Sequence, residues 1–204
     1  MILSLFIKLC KNIGEPGEQY GQLFIPLSPD AKRCSLANKI HKGVIFMAIS
    51  TANYKSAIDG LNVATNSKYQ PSTSGTTYCN VFANDVMNGY GYPLPANGSG
   101  NCAAIFDGLY GNVDAHWKSV SYTDAQARAN SGYPTVGITS GRASKSPDTT
   151  MPEHIVVIYP SGHTPTSIAD MDMSMAGYQC FNNTKLSYAW TSTDQAKVKF
   201  YSYN

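Results

Sequence analysis

The sequence predicts an α+β fold, with N-terminal helices packed on a mostly antiparallel β-sheet, and three observations carry that prediction. Apolar residues recur at helical spacing up to about residue 130, and β-rich runs bounded by Pro, Gly and Ser take over after it. Hydrophobic residues make up 43% of the chain and charged residues only 14%, which is core enough for a domain but little surface charge for a helical bundle. Gly, Ser, Thr, Asn and Tyr fill the difference, a composition of loops and strands.

The elements follow in order. Residues 1–46 carry several breakers and no clear period. They read either as a poorly ordered extension upstream of a natural start at Met47, or as an arm packed on the domain. Residues 47–204 read as one coherent domain. Ala57, Ile58 and Leu61 form an apolar stripe, with Ser50 or Thr51 placed to cap a helix. SKYQPSTSG is loop. A second helix takes Thr76 or Thr77 as its cap and puts Cys79, Phe82, Ala83 and Val86 on one face. Gly89 or Gly91 ends it before Pro93. Short helices are expected over 102–110 and 124–130. PTVGIT (134–139), HIVVIY (154–159), SIADMDMSMA (167–176), KLSYAW (185–190) and KVKFYSY (197–203) read as strands.

The bulk numbers exclude several classes. A net charge of +2 with scattered Lys and Arg leaves no basic stripe for nucleic acid. No apolar run reaches the roughly 18–20 residues of a membrane span, and no signal-peptide pattern opens the chain. Five cysteines, Cys10, Cys34, Cys79, Cys102 and Cys180, form neither a disulfide framework nor a CxxC zinc pattern. A Cys102–Cys180 bridge is one arrangement they allow, and at least one thiol stays free. No metal or organic cofactor is implied.

Cys79 carries the chemistry of a nucleophile. At a helix start, backbone N–H groups and the helix dipole favour the thiolate, which is the attacking species. The same N–H groups suit an oxyanion. Of His41, His116, His154 and His163, His154 is the expected base, because it opens an apolar strand after a long Gly/Ser/Pro loop. An orienting acceptor is expected on the next strand. A hairpin centred at residue 163 would place Asp172 opposite His154, with Asp170 or Ser174 taking that place on a shift of two.

A helix-start Cys, a strand-start His and a polar residue on the following strand resemble the NlpC/P60 and CHAP cell-wall hydrolases, which share a papain-like fold. The blocks that carry the likeness are NSKYQPSTSGTTYCNVFANDVMNGYGYPLP, WKSVSYTDAQARANSGYPTVGI, PEHIVVIYPSG and MAGYQCFNNTKLSYAW, in that order over about 47–204. Glu153 stands where a glycine is usual. The resemblance implies a Cys79–His154–Asp172 hydrolase acting on an amide in the peptide stem of peptidoglycan. That bond is the muramoyl–alanine amide, a γ-D-glutamyl bond or a cross-bridge. Tyr69 would help line the oxyanion pocket, and Asn80 would give its backbone N–H. It further implies a monomeric lysin or antibacterial effector at the bacterial wall, exported by a holin or an injection apparatus, an effector needing an immunity protein. A protein-directed peptidase or acyltransferase of the same fold, or a non-catalytic wall-binding module with an inert Cys79, are the alternatives.

Overall fold

The computed structural model describes residues 47–95 and 100–204; the expectations for residues 1–46 lie outside them. The helices are α1 (Thr51–Asp59), α2 (Cys79–Tyr90), α3 (Cys102–Tyr110), α4 (Tyr122–Asn130) and the short α5 (Ser192–Gln195). The strands are β1 (Trp117–Val120), β2 (Thr135–Thr139), β3 (His154–Ile158), β4 (Asp172–Ala176), β5 (Cys180–Lys185) and β6 (Lys199–Tyr203). They form one antiparallel sheet in the order β1-β6-β2-β3-β4-β5. The architecture is α+β, with two differences from expectation. β1 precedes α4, so helices and strands interleave. KLSYAW is not a strand: Leu186–Tyr188 makes a 3₁₀ turn, and the strand is the preceding segment, β5.

Local chemistry sets the helix ends. Ser50 caps α1 by accepting from the Asn53 N–H at 3.1 Å, and Asn101 and Ser121 cap α3 and α4 in the same way. Gly91 ends α2 at φ 95°, a left-handed conformation that side chains resist. The start of α2 corrects the expected Thr cap. Tyr78 is the cap residue and makes no side-chain capping bond. Thr76 is used elsewhere: its N–H bonds Ser72 Oγ at 3.0 Å and its carbonyl accepts from Ser72 N, closing a turn over residues 72–76.

Helix α2 lies on β3 and β4, α4 on β6, β2 and β3, and α3 on β1 and β2. Every residue of β2 and β4 is buried. Two buried tyrosines tie α1 and α2 to the β2 side. Tyr54 hydroxyl donates to the Thr135 carbonyl and accepts from the Thr135 N–H, both at 3.0 Å. Tyr90 stacks on it at 5.3 Å and donates to the Gly132 carbonyl at 2.9 Å. Each phenol satisfies backbone groups that burial would otherwise leave costly.

The β3–β4 register corrects the hairpin expectation. Val157 faces Ser174 and Ile158 faces Met173, and the Tyr159 N–H continues the ladder to the Asp172 carbonyl at 2.8 Å. The pairing is therefore offset by five residues from the one that set Asp172 opposite His154. An odd offset turns a strand over, so His154 shares a face with Met175, while Asp172 and Ser174 share the other with Val157 and Tyr159. The cause is the 3₁₀ turn Ile168–Asp170, which takes up residues expected to be strand.

Candidate active site

The site forms where α2, α3 and β3 meet. Cys79 is the first residue of α2 and is 4% exposed. Its thiol interacts with the Cys102 thiol, the His154 ring and the Ile155 N–H. These interactions outweigh the cost of burial and hold the Cys79 thiol well below its usual range, the Cys102 thiol contributing most and His154 next. The Cys102 thiol is pushed up by the neighbouring Cys79 sulfur and by burial. The Cys102 S–H donates to the Thr139 carbonyl at 3.6 Å, an acceptor that favours its protonated form.

His154 sits at the half-buried head of β3, paired with Thr139 of β2. Its Nε2 lies 3.4 Å from Met175 Sδ. Trp190 meets the ring edge-on, centroids 5.2 Å apart, and its indole N–H is anchored on Thr139 Oγ1 at 3.0 Å. A Cβ added to Gly177 would touch the imidazole at 3.4 Å, so this glycine leaves room for the ring. Beside His154 opens a cleft of about 310 Å³. Its lining includes Thr77, Glu153, His154, Met175, Gln179 and the largely exposed Tyr178 and Tyr188. Thr77, two residues before α2, lines it, and α2 begins without a side-chain cap for its first-turn N–H groups.

The remaining expected residues fall elsewhere. Asp172, expected to orient His154, instead accepts from Ser161 Oγ at 2.5 Å and pairs with Lys185 Nζ at 3.0 Å. Asp170, the alternative, binds His163 Nε2 at 2.8 Å and Lys185 Nζ at 3.1 Å. Both aspartates fasten the β3–β4 connection. Ser174 hydroxyl donates to the Asn182 carbonyl. Tyr69 does not reach an oxyanion position: its hydroxyl donates to Asp85 Oδ2 at 2.7 Å, roughly 9 Å further along the α2 axis than Cys79. Asn80 spends its side chain on the Gly100 carbonyl at 3.2 Å, leaving the backbone N–H as its contribution. Cys180 is a free thiol directed at the Tyr69 and Gly177 carbonyls, so it makes no bridge to Cys102.

Sequence reasoning missed Cys102, Met175, Gly177 and Trp190. For Cys102 a signal existed: it follows an Asn cap as the first residue of its helix, as Cys79 is the first residue of α2. Glu153, the departure from the usual glycine, accepts from Ser140 Oγ at 3.1 Å. Among the described residues no group of three or more His, Cys, Asp or Glu side chains is placed to hold a metal ion. No described helix is long and apolar enough to cross a membrane. Comparison with protein-family models and with curated proteins finds no match to this chain.

Proposed function

We propose that the chain is a cysteine hydrolase that cleaves an amide bond in the peptide stem of peptidoglycan at the bacterial wall. One observation carries it: a buried thiol, favoured as thiolate at the uncapped start of a helix, interacts with an imidazole that lines an open cleft. A helix-borne Cys packed against a strand-borne His on an antiparallel sheet is also the arrangement that a papain-like fold would give.

The chemistry follows from those positions. Cys79 thiolate attacks the amide carbonyl, and the negative oxygen of the tetrahedral adduct takes hydrogen bonds from first-turn N–H groups of α2, those of Cys79 and Asn80 being nearest. His154 gives its proton to the leaving amine, which departs. It then takes a proton from water, and the hydroxide releases the acyl group and restores the thiolate. The His154 ring is held by Trp190, Gly177 and the Met175 thioether rather than by a carboxylate. The peptidoglycan substrate rests on the sequence resemblance, and the exposed rings of Tyr178 and Tyr188 give the cleft a rim suited to stacking on a sugar face.

Purified sacculi treated with the wild type and with Cys79→Ala test the proposal. Wild-type protein should clear the suspension, the variant should not, and fragment masses would name the bond cut. Sacculi of several wall types left intact by folded wild type, with a protein substrate cleaved instead, would move the same site to a protein-directed peptidase.

A further inference from the structure

The cleft beside His154 holds a charged side chain that the mechanism above does not use. Among the described residues that line it, Glu153 is the sole Asp, Glu, Lys or Arg. Its carboxylate is held in place. Thr139 of β2 pairs with His154 of β3, so Ser140, the next residue outward on β2, stands beside Glu153, and its hydroxyl donates to Glu153 Oε1 at 3.1 Å. The two segments stay close beyond that pair, the Gly141 N–H bonding the Met151 carbonyl at 3.0 Å. A Cβ on Gly141 would lie 2.4 Å from that carbonyl oxygen, so the approach depends on glycine. Glu153 Oε2 has a weaker partner. Arg142 Nη1 lies 3.8 Å away on a side chain that is 84% exposed, an ion pair of little worth in water. The Glu153 side chain is itself 21% exposed, so one carboxylate oxygen is accessible to a ligand. Two exposed phenol rings, Tyr178 and Tyr188, share the lining.

We propose that Glu153 is a specificity-determining residue for the reaction: with Tyr178 and Tyr188 it forms a subsite for a primary ammonium group of the substrate. The inference rests on the reading of this cleft as the substrate site of a cysteine hydrolase. A carboxylate in a cleft without Lys or Arg favours a positive ligand group, and walls that partly exclude water strengthen that field. The neighbouring imidazole does not answer it, since His154 is turned to Met175 and Trp190. Tyr ring faces attract a cation too, whereas a neutral sugar would use the rings and leave the carboxylate idle. An aliphatic ammonium is charged at neutral pH and carries three donors, which suits an acceptor oxygen beside aromatic faces. Glu153 directly precedes His154, and consecutive Cα atoms are about 3.8 Å apart. The ammonium therefore binds within a residue or two of the amide that is cut. In a peptide stem, such a group comes from a free α-amine or from the side chain of a diamino acid.

The test is binding of the synthetic stem peptide L-Ala-γ-D-Glu-L-Lys-D-Ala to the full chain carrying Cys79→Ala, which cannot turn it over, by titration calorimetry at neutral pH. The same peptide acetylated at its α-amine, or at its lysine side chain, is the comparison. Acetylation of at least one of the two amines should weaken binding roughly ten- to hundredfold, the worth of a hydrogen bond to a charged group, and which one does so names the source. Adding Glu153→Gln keeps an acceptor for Ser140 and removes the charge. It should weaken binding of the unmodified peptide by a similar factor and abolish the preference for the free amine. The peptide series itself needs no substitution at Glu153, so it stands even where that variant fails to fold. Binding indifferent to both acetylations would overturn the proposal, as would a Glu153→Gln protein that still prefers the free amine, or no binding of any of the three peptides. Cleavage of all three by wild type with equal kcat/KM would remove the subsite and leave the hydrolase. Binding that depends on Glu153, with sacculi and peptides left uncut by wild type, would remove the hydrolase and leave the subsite.

Discussion

Replacing Asp172 by Asn distinguishes an orienting carboxylate from a structural one. The side chain is 10% exposed, accepts from Ser161 Oγ at 2.5 Å and pairs with Lys185 Nζ at 3.0 Å. The Asp172→Asn variant would keep the shape and one acceptor oxygen but lose the ion pair. Lys185 would not be stranded, since Asp170 Oδ1 remains 3.1 Å away. The loss is therefore that of a charge-assisted hydrogen bond at a partly exposed site, about 1–2 kcal/mol. For a domain of this size it corresponds to a fall of about 2–8 °C in Tm. Because Asp172 lies on the other face of β4 from His154, kcat/KM should stay within about twofold of wild type. Thermal melts and sacculus clearing on the same preparation give both quantities. A drop in activity of about 10²–10⁴-fold, the range for losing a working acid–base group, with Tm unchanged, would refute the register argument and return Asp172 to the site.

Other perturbations probe the surroundings. His163, the Thr166 N–H and Lys185 together hold the Asp170 carboxyl well below the usual carboxylate range. A depressed acid stabilises the fold above its unfolded-state pKa of about 4 and loses that contribution as pH falls toward the folded value. Amide exchange over residues 162–170 should therefore accelerate below about pH 4 in the wild type and depend less on pH in Asp170→Asn. Tyr178→Ala and Tyr188→Ala should raise KM for sacculus fragments several-fold, by about the worth of an aromatic contact, and leave iodoacetamide labelling of Cys79 unchanged. Thr139→Val removes the acceptor of the buried Trp190 indole N–H and should cost about 1–3 kcal/mol in urea unfolding.

What could be read from the sequence was local. Ser50, Gly91 and the β-branched runs of β2 and β3 announce their elements through backbone preferences that act within a few residues. The helix start at Cys79 and the strand start at His154 were legible for that reason. The register between β3 and β4 was not, because it depends on how much chain the connection consumes. The 3₁₀ turn at Ile168–Asp170, held by Asp170 bonds back to Thr166 and His163, carries no strong local signal. Alternation in SIADMDMSMA does mark a strand, yet a pattern of period two cannot say which face meets the neighbour. Cys102 carries a local helix-start signal after its Asn101 cap, but its place near Cys79 is set by packing between segments distant in sequence, which no local pattern shows.

The central claim is that His154 holds Cys79 as a reactive thiolate, and the most direct measurement is the pH dependence of Cys79 labelling in wild type and His154→Ala. The wild-type thiol, though buried, should react with iodoacetamide at neutral pH, with a midpoint well below the ordinary value of about 8.5. Loss of the imidazole should move that midpoint upward and abolish sacculus clearing. Identical profiles for the two proteins, or a wild-type Cys79 that stays unlabelled until the chain unfolds, would contradict the account.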